Sequence, residues 1–115
     1  PTIKWEIQIP ETVSVEADEM LLRQVFVNII KNAIEAQAKR VNITWQAPSL
    51  HISNDGTPIL PEVRRDIFVP FYTTKSTGTG IGLALSRQIM TMQGCALRLA
   101  EKADAGYHVT FVLDF

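Results

Sequence analysis

The stretch LLRQVFVNIIKNAIEA, residues 21–36, repeats its apolar residues with the period of an α-helix. At about 100° per residue the apolar side chains fall on one wide arc, and amide side chains fall on the remaining side. The predicted arc consists of Leu22, Val25, Phe26, Val27, Ile29, Ile30, Ala33, Ile34 and Ala36. Asp18 precedes the run as a favourable N-cap residue, so the pattern predicts a helix from there to about Ala38.

Segments with the two-residue alternation of β-strands lie on both sides of this helix. They are TIKWEIQI (2–9), TVSVEA (12–17), RVNITWQA (40–47), SLHISN (49–54), CALRLAE (95–101) and GYHVTFVLDF (106–115). A second helix is predicted from about Ile81 to Gln93, where Gly94 is a natural cap, and PEVRRDIF (61–68) predicts a short one. This order predicts an α/β sandwich in which a mixed sheet carries helices on one face.

Composition excludes several classes of protein. The chain has 115 residues, a net charge of −1 and one cysteine, Cys95. There is no basic excess to bind a nucleic-acid backbone, no internal disulfide is possible, and no apolar run approaches the ~20 residues of a membrane span. Because the chain opens on a strand-like segment without an initiator methionine, we expect residues 1–115 to be one domain excised from a longer chain.

Three glycines stand directly before the second predicted helix, in STGTGIGLALSRQIM (76–90). Gly78, Gly80 and Gly82 can expose main-chain N–H groups, and the helix adds its positive N-terminal end, so the run suits a phosphate. A P-loop is excluded because Leu83 follows Gly82 where a lysine is required. An ordinary loop with glycines at strained positions remains an equal alternative.

Two further segments carry polar groups that suit a nucleotide. Gln24, Asn28 and Asn32 recur at every fourth position and form an amide strip along the first helix. Their oxygens suit Mg²⁺ shared with phosphates, although on an arbitrary helix hydrogen bonds to neighbouring loops are the more common explanation of such residues. The segment SNDGTPI (53–59) places a polar strand end beside a glycine, which suits adenine or an ordinary Asp-Gly turn.

Taken in order, four segments resemble the ATP-binding domain of sensor histidine kinases in the GHKL ATPase superfamily. QVFVNIIKNAIEA resembles the N box, SNDGTPI the G1 box, IFVPFYTTK the F box and GTGIGLAL the G2 box. The resemblance covers nearly the whole chain. It implies a two-layer α/β sandwich, with a mixed and mostly antiparallel sheet packed under about three helices.

The resemblance also assigns roles to residues. Asn32 resembles the Mg²⁺-ligating asparagine, with Asn28 in the same site as a second candidate ligand, and Phe68 and Phe71 resemble aromatics that anchor an ATP lid at about residues 70–79. The implied nucleotide-binding residues are Asn28, Asn32, Asn54, Asp55, Gly56, Ile59, Phe71, Thr74, Lys75, Thr77, Gly78, Thr79, Gly80, Ile81, Gly82 and Leu83.

Two positions depart from the family pattern. The G1 aspartate falls on Asn54 and its second glycine on Pro58, which leaves open whether Asn54 or Asp55 contacts adenine. Glu35 stands where a basic residue is common, so a phosphate contact is expected to be missing.

The resemblance implies a domain that binds ATP and Mg²⁺ and donates the γ-phosphoryl group to a histidine on a separate dimerisation domain. No catalytic residue is expected in this segment, because His51 and His108 lie in predicted strands and suit structural roles. The implied partners are that domain and a response-regulator receiver, with no nucleic acid and no membrane contact. The implied setting is cytoplasmic, with the parent protein's membrane anchoring left open. A GHKL protein-serine kinase or ATPase, and an interaction module without nucleotide, remain alternatives.

Overall fold

The computed structural model describes residues 2–70 and 81–115. In this part of the chain five strands form one sheet in the order β1-β2-β3-β5-β4. β1 runs parallel to β2, and the other three neighbouring pairs are antiparallel. The strands are β1 (Lys4–Gln8), β2 (Arg40–Gln46), β3 (Ser49–Asn54), β4 (Ala96–Leu99) and β5 (Val109–Asp114). The sheet is therefore mixed and mostly antiparallel, as predicted, and the fold class is confirmed.

Two α-helices and one 3₁₀ helix accompany the sheet in the described residues. They are α1 (Glu19–Glu35), α2 (Gly82–Met92) and the 3₁₀ helix Pro61–Asp66. Asp18 caps α1 as predicted, because its Oδ1 accepts a hydrogen bond from the Leu21 amide at 2.9 Å. The predicted end at Ala38 was three residues too late. Gln37 takes the left-handed conformation (φ 61°), and this reversal ends the helix and directs the chain into β2.

α1 buries a narrower stripe than the sequence predicts. Val25, Ile29 and Ala33 are buried, whereas Val27 and Ile34 are 53% and 57% exposed. A single sheet under the helix covers only the side chains that face it directly, so the outer part of the predicted arc remains in contact with solvent.

The two faces of the sheet differ in polarity. Side chains alternate along each strand, and Val41, Ile52 and Phe111 are almost fully buried on the face that carries the helices. The opposite face is polar, and the β4–β5 connection at residues 100–108 bends back over it. There Asp104 contacts His51 Nδ1 at 3.1 Å.

The predicted strand in TVSVEA is wrong, since residues 12–17 form turn and irregular structure before α1. Local alternation gives no information on whether a neighbouring strand is present to accept the hydrogen bonds.

No helix of the described ranges is both long and apolar enough to cross a membrane.

Candidate functional site

The amide side chain of Asn28 joins α1 to the beginning of α2. Its Nδ2 donates to the carbonyl oxygen of Gly82 at 3.1 Å and to Ser86 Oγ at 2.9 Å. Its Oδ1 accepts from Gln24 Nε2 at 3.1 Å. A Cβ added to Gly82 would lie 3.7 Å from Asn28 Cγ, so the two helices approach closely here. The predicted amide strip therefore lies against the last glycine of the glycine run.

Among residues 2–70 and 81–115, no side chain caps the N-terminus of α2, and its first turn has no acidic residue. Its N-cap residue is the apolar Ile81, whose carbonyl oxygen accepts from the Leu85 amide at 2.9 Å. The amides of Gly82 and Leu83 precede that bond. The N-terminus of α1, in contrast, has both Asp18 as a cap and Glu19. An uncapped N-terminus without an acidic side chain favours an anion.

Asn32 lies one turn after Asn28 on the same side of α1. Its Nδ2 contacts the Asn28 carbonyl oxygen at 3.4 Å, which turns the nitrogen of the amide toward its own helix. Nowhere in residues 2–70 and 81–115 do three His, Cys, Asp or Glu side chains form a group able to hold a metal ion. Neutral amide oxygens beside a helix N-terminus that favours an anion nevertheless fit Mg²⁺, because that ion is commonly shared with substrate phosphates.

In the G1 turn, residues 54–57, the polar side chains of Asn54 and Asp55 point in different directions. Asn54 ends β3 opposite Val41 and Val109 and is only 4% exposed, so its side chain lies on the helix face of the sheet. Its Oδ1 accepts a hydrogen bond from the Gly56 amide at 2.9 Å. Oδ1 has a second lone pair and can accept one more hydrogen bond.

The carboxylate of Asp55 is held by the beginning of β2. Its Oδ1 accepts from the amides of Lys39 and Arg40, both at 2.8 Å, and its Oδ2 accepts from Arg40 Nε at 3.1 Å. Burial alone would raise the pKa of Asp55, but the hydrogen bonds from the amides of Arg40 and Lys39 and from the guanidinium outweigh it and lower that pKa. These three hydrogen bonds give Asp55 a structural role on the β2 side of the turn.

The same turn is fixed to the C-terminal end of α1. The Ala36 carbonyl oxygen, one of the last of the helix, accepts from the Thr57 amide at 2.9 Å. A Cβ added to Gly56 would lie 2.7 Å from that oxygen and 2.8 Å from Ala36 Cβ. Only glycine allows this approach, so the turn and the amide strip belong to one rigid unit.

Phe68 packs at the beginning of the segment predicted as a lid. Its ring meets Phe111 of β5 edge to face at 6.4 Å between centroids, and the Arg87 guanidinium lies 4.3 Å from its centroid. Ile59 and Phe68 are partly buried against the core. Phe68, which precedes this segment, is thus packed against both the sheet and α2.

The remaining predicted site residues lie outside the described residues. They are Phe71, Thr74, Lys75, Thr77, Gly78, Thr79 and Gly80.

Sequence reasoning missed three residues that build this region. Ser86 is fully buried and accepts a hydrogen bond from Asn28. In the sequence it could have been recognised as a hydroxyl residue within the apolar face of a helix. Arg40 and His108 hold the G1 turn from the side of β2 and the β4–β5 connection, and no periodicity of the sequence points to them.

A family model described as "Histidine kinase-, DNA gyrase B-, and HSP90-like ATPase" matches residues 17–115. The signal transduction histidine-protein kinase AtoS of Escherichia coli (strain K12) is 40% identical over an alignment of 106 residues that covers 86% of this chain and 17% of AtoS. The sensor protein FixL of Bradyrhizobium diazoefficiens is 32% identical over an alignment of 106 residues that covers 84% of this chain and 21% of FixL. The chain thus spans about a fifth of the length of these relatives.

Solved structures share the fold. A nucleotide-free form of the catalytic domain of histidine kinase ThkA has a TM-score of 0.79 and 32% identity, covering 98% of this chain and 78% of that one. Full-length ShkA in complex with AMPPNP has a TM-score of 0.75 and 26% identity, covering 97% of this chain and 24% of ShkA.

Proposed function

Because this chain belongs to the histidine kinase-, DNA gyrase B- and HSP90-like ATPase family, we propose that it binds Mg-ATP between α1 and the N-terminus of α2. We further propose that it donates the γ-phosphoryl group to a histidine on a separate dimerisation and phosphoacceptor domain. Two of the relatives named above, AtoS and ThkA, are histidine kinases, which favours histidine over serine as the acceptor.

The contact between Asn28 and Gly82 carries this proposal. It holds the amide strip of α1 beside the N-terminus of α2, which supports an arrangement in which amide oxygens would ligate the metal and main-chain N–H groups would bind phosphate. Asn32, with Asn28 beside it, would hold Mg²⁺, which neutralises phosphate charge when it is bound. ShkA, a structural relative, was solved with AMPPNP, an ATP analogue.

Asn54 is the better candidate for the adenine contact. Asp55 is occupied by Arg40 and Lys39 on the other side of the turn, whereas the Oδ1 of Asn54 lies on the helix face. A carbonyl oxygen that already accepts from the Gly56 amide can still accept from the exocyclic amine of adenine.

The chemistry requires mainly positioning and charge neutralisation. The bond between the γ-phosphorus and its bridging oxygen breaks, a phosphorus–nitrogen bond forms on the acceptor imidazole, the imidazole releases its N–H proton to water, and ADP leaves. Within this chain, His51 contacts Asp104 and His108 contacts the Gly56 carbonyl oxygen, so both serve structural contacts in or beside strands. The nucleophile therefore comes from another domain, and a response-regulator receiver is the downstream partner. We expect the chain alone to bind nucleotide but to turn over little.

Thermal unfolding with and without nucleotide tests the proposal. At about 100 times the dissociation constant, Mg-ATP should add about 2.7 kcal/mol to the free energy of unfolding. Mg²⁺ alone, and ATP with excess chelator, are the controls that separate metal from nucleotide effects. No stabilisation at millimolar Mg-ATP would contradict the proposal and favour an interaction module.

A further inference from the structure

We infer that Arg40 and His108 position the G1 turn for nucleotide, and that they do so from the side of the turn facing away from α1. The inference rests on the proposed function, because the turn receives adenine only if the chain binds ATP. It extends that function to the connection at residues 100–108, which contributed none of the site residues predicted from the sequence.

Arg40 bridges the G1 turn and this connection. Its Nε donates to Asp55 Oδ2 at 3.1 Å, and its Nη2 donates to the Gly106 carbonyl oxygen at 2.7 Å. Its guanidinium carbon lies 4.8 Å from the centroid of the Tyr107 ring. Because the guanidinium is planar and its N–H groups point in fixed directions, these contacts fix the position of the Asp55 carboxylate relative to the β4–β5 connection.

His108 completes the bridge from the other end of the same connection. Its amide donates to the Asn54 carbonyl oxygen at 2.9 Å, and its Nδ1 lies 2.9 Å from the Gly56 carbonyl oxygen. A carbonyl oxygen only accepts, so Nδ1 carries the hydrogen whether the ring is neutral or charged. The ring thus holds the glycine that, on its α1 side, has no room for a Cβ beside Ala36.

These contacts matter for affinity because they order the turn before nucleotide arrives. A turn that the ligand itself must order costs binding free energy, whereas a turn already held in place does not. Arg40 acts through Asp55, and His108 acts through Gly56 and the main chain of Asn54. Both are positioning residues, and neither needs to touch the base.

The experiment compares the dissociation constants of ATP and ADP, measured by calorimetry, for the wild-type chain and paired variants. Arg40→Ala is matched by Arg98→Ala, since Arg98 forms an Arg–Asp pair of similar exposure (53% against 48%) with Asp114, away from the turn. His108→Leu is matched by His108→Asn, whose amide nitrogen can replace Nδ1 as the donor. Thermal unfolding without nucleotide reports whether each variant is folded.

We expect Arg40→Ala and His108→Leu each to weaken ATP and ADP equally, by about fivefold or about 1 kcal/mol. Equal losses are expected because both nucleotides carry the same base. Arg98→Ala should bind as the wild type does, and His108→Asn should regain most of the affinity that His108→Leu loses.

Folded Arg40→Ala and His108→Leu variants with wild-type affinity would overturn the inference while leaving the proposed function intact. A loss for ATP without a matching loss for ADP would also overturn it, since the effect would then lie at the phosphates. A wild-type chain that binds neither nucleotide would overturn the proposed function and this inference with it.

Discussion

Asn28 Nδ2 on α1 donates to the carbonyl oxygen of Gly82, the first residue of α2, at 3.1 Å. The same nitrogen donates to Ser86 Oγ, which has no exposure to solvent. One side chain thus fixes the distance between the amide strip and the helix N-terminus that faces it.

Asn28→Ala should lower the free energy of unfolding by about 1–3 kcal/mol, because the buried Ser86 hydroxyl loses its partner on α1. Urea-induced unfolding measures the change. Gln24→Ala, which removes the exposed neighbour bonded to Asn28 Oδ1, should cost less than about 0.5 kcal/mol. Equal costs for the two variants would show that the junction does not depend on Asn28.

Gly56→Ala should destabilise the fold by about 1–3 kcal/mol, because the new Cβ would lie 2.7 Å from the Ala36 carbonyl oxygen and a backbone must shift. Gly82→Ala is the matched control for stability, since among the residues that the structure describes its Cβ would meet nothing closer than 3.7 Å. Calorimetric unfolding of both variants gives the comparison. If Gly56→Ala unfolds at the wild-type temperature, the close approach of the turn to α1 is incorrect.

Ala84→Glu should weaken ATP binding by about tenfold relative to Ala84→Gln, since only the former places a negative charge in the first turn of α2. The two side chains are nearly the same size, so the comparison isolates charge. The same glutamate should leave the fold as stable or stabilise it slightly, because it is favourable at a helix N-terminus. Equal ATP affinities would exclude phosphate from this helix end.

Asp55→Asn should reduce the loss of unfolding free energy that occurs as the pH falls from 7 to 3. The pKa of Asp55 is lowered in the folded chain, so its ionised form stabilises the fold above the unfolded pKa, near 4, and this contribution is lost as pH falls through the folded pKa. Asp55→Asn should therefore be less stable than the wild type at pH 7, and the difference should shrink toward pH 3. Unfolding in urea across this range measures both curves.

The pKa of Asp114 is also lowered, chiefly by its hydrogen bond to Arg98. The Asp55→Asn variant should therefore still lose some unfolding free energy as the pH falls from 7 to 3. Two parallel curves from pH 7 to pH 3 would mean that the Arg40 and Lys39 contacts do not favour the ionised carboxylate of Asp55.

The elements with strong periodicity could be predicted from the sequence. The α1 helix, the β2–β3 and β4–β5 pairs and α2 all lie within a few residues of their predicted bounds. The end of α1 at Glu35 was not predicted because the chain reversal at Gln37 occurs without a glycine, the usual sequence signal for such an end. TVSVEA alternates as a strand does, yet alternation describes only the segment itself and not its neighbours.

The candidate site could be predicted only in part. The sequence placed Asn28 and Gly82 together through a resemblance, and the described structure brings them into contact. It left open whether Asn54 or Asp55 contacts adenine, because the directions of the two side chains depend on contacts with β2 and the helix face that no local pattern reveals. The bridges made by Arg40 and His108 join segments far apart in the chain, which no local pattern reveals. The ligand roles of all these residues stay predictions.

The most direct test of the central claim is a calorimetric titration of ATP into the wild-type chain and Asn32→Ala, each with Mg²⁺ and with excess chelator. We predict that Mg²⁺ strengthens ATP binding to the wild type and that this gain is lost in Asn32→Ala, while Gln88→Ala, which removes an exposed amide of α2, keeps it. An Asn32→Ala variant with the full Mg²⁺-dependent gain would contradict the account.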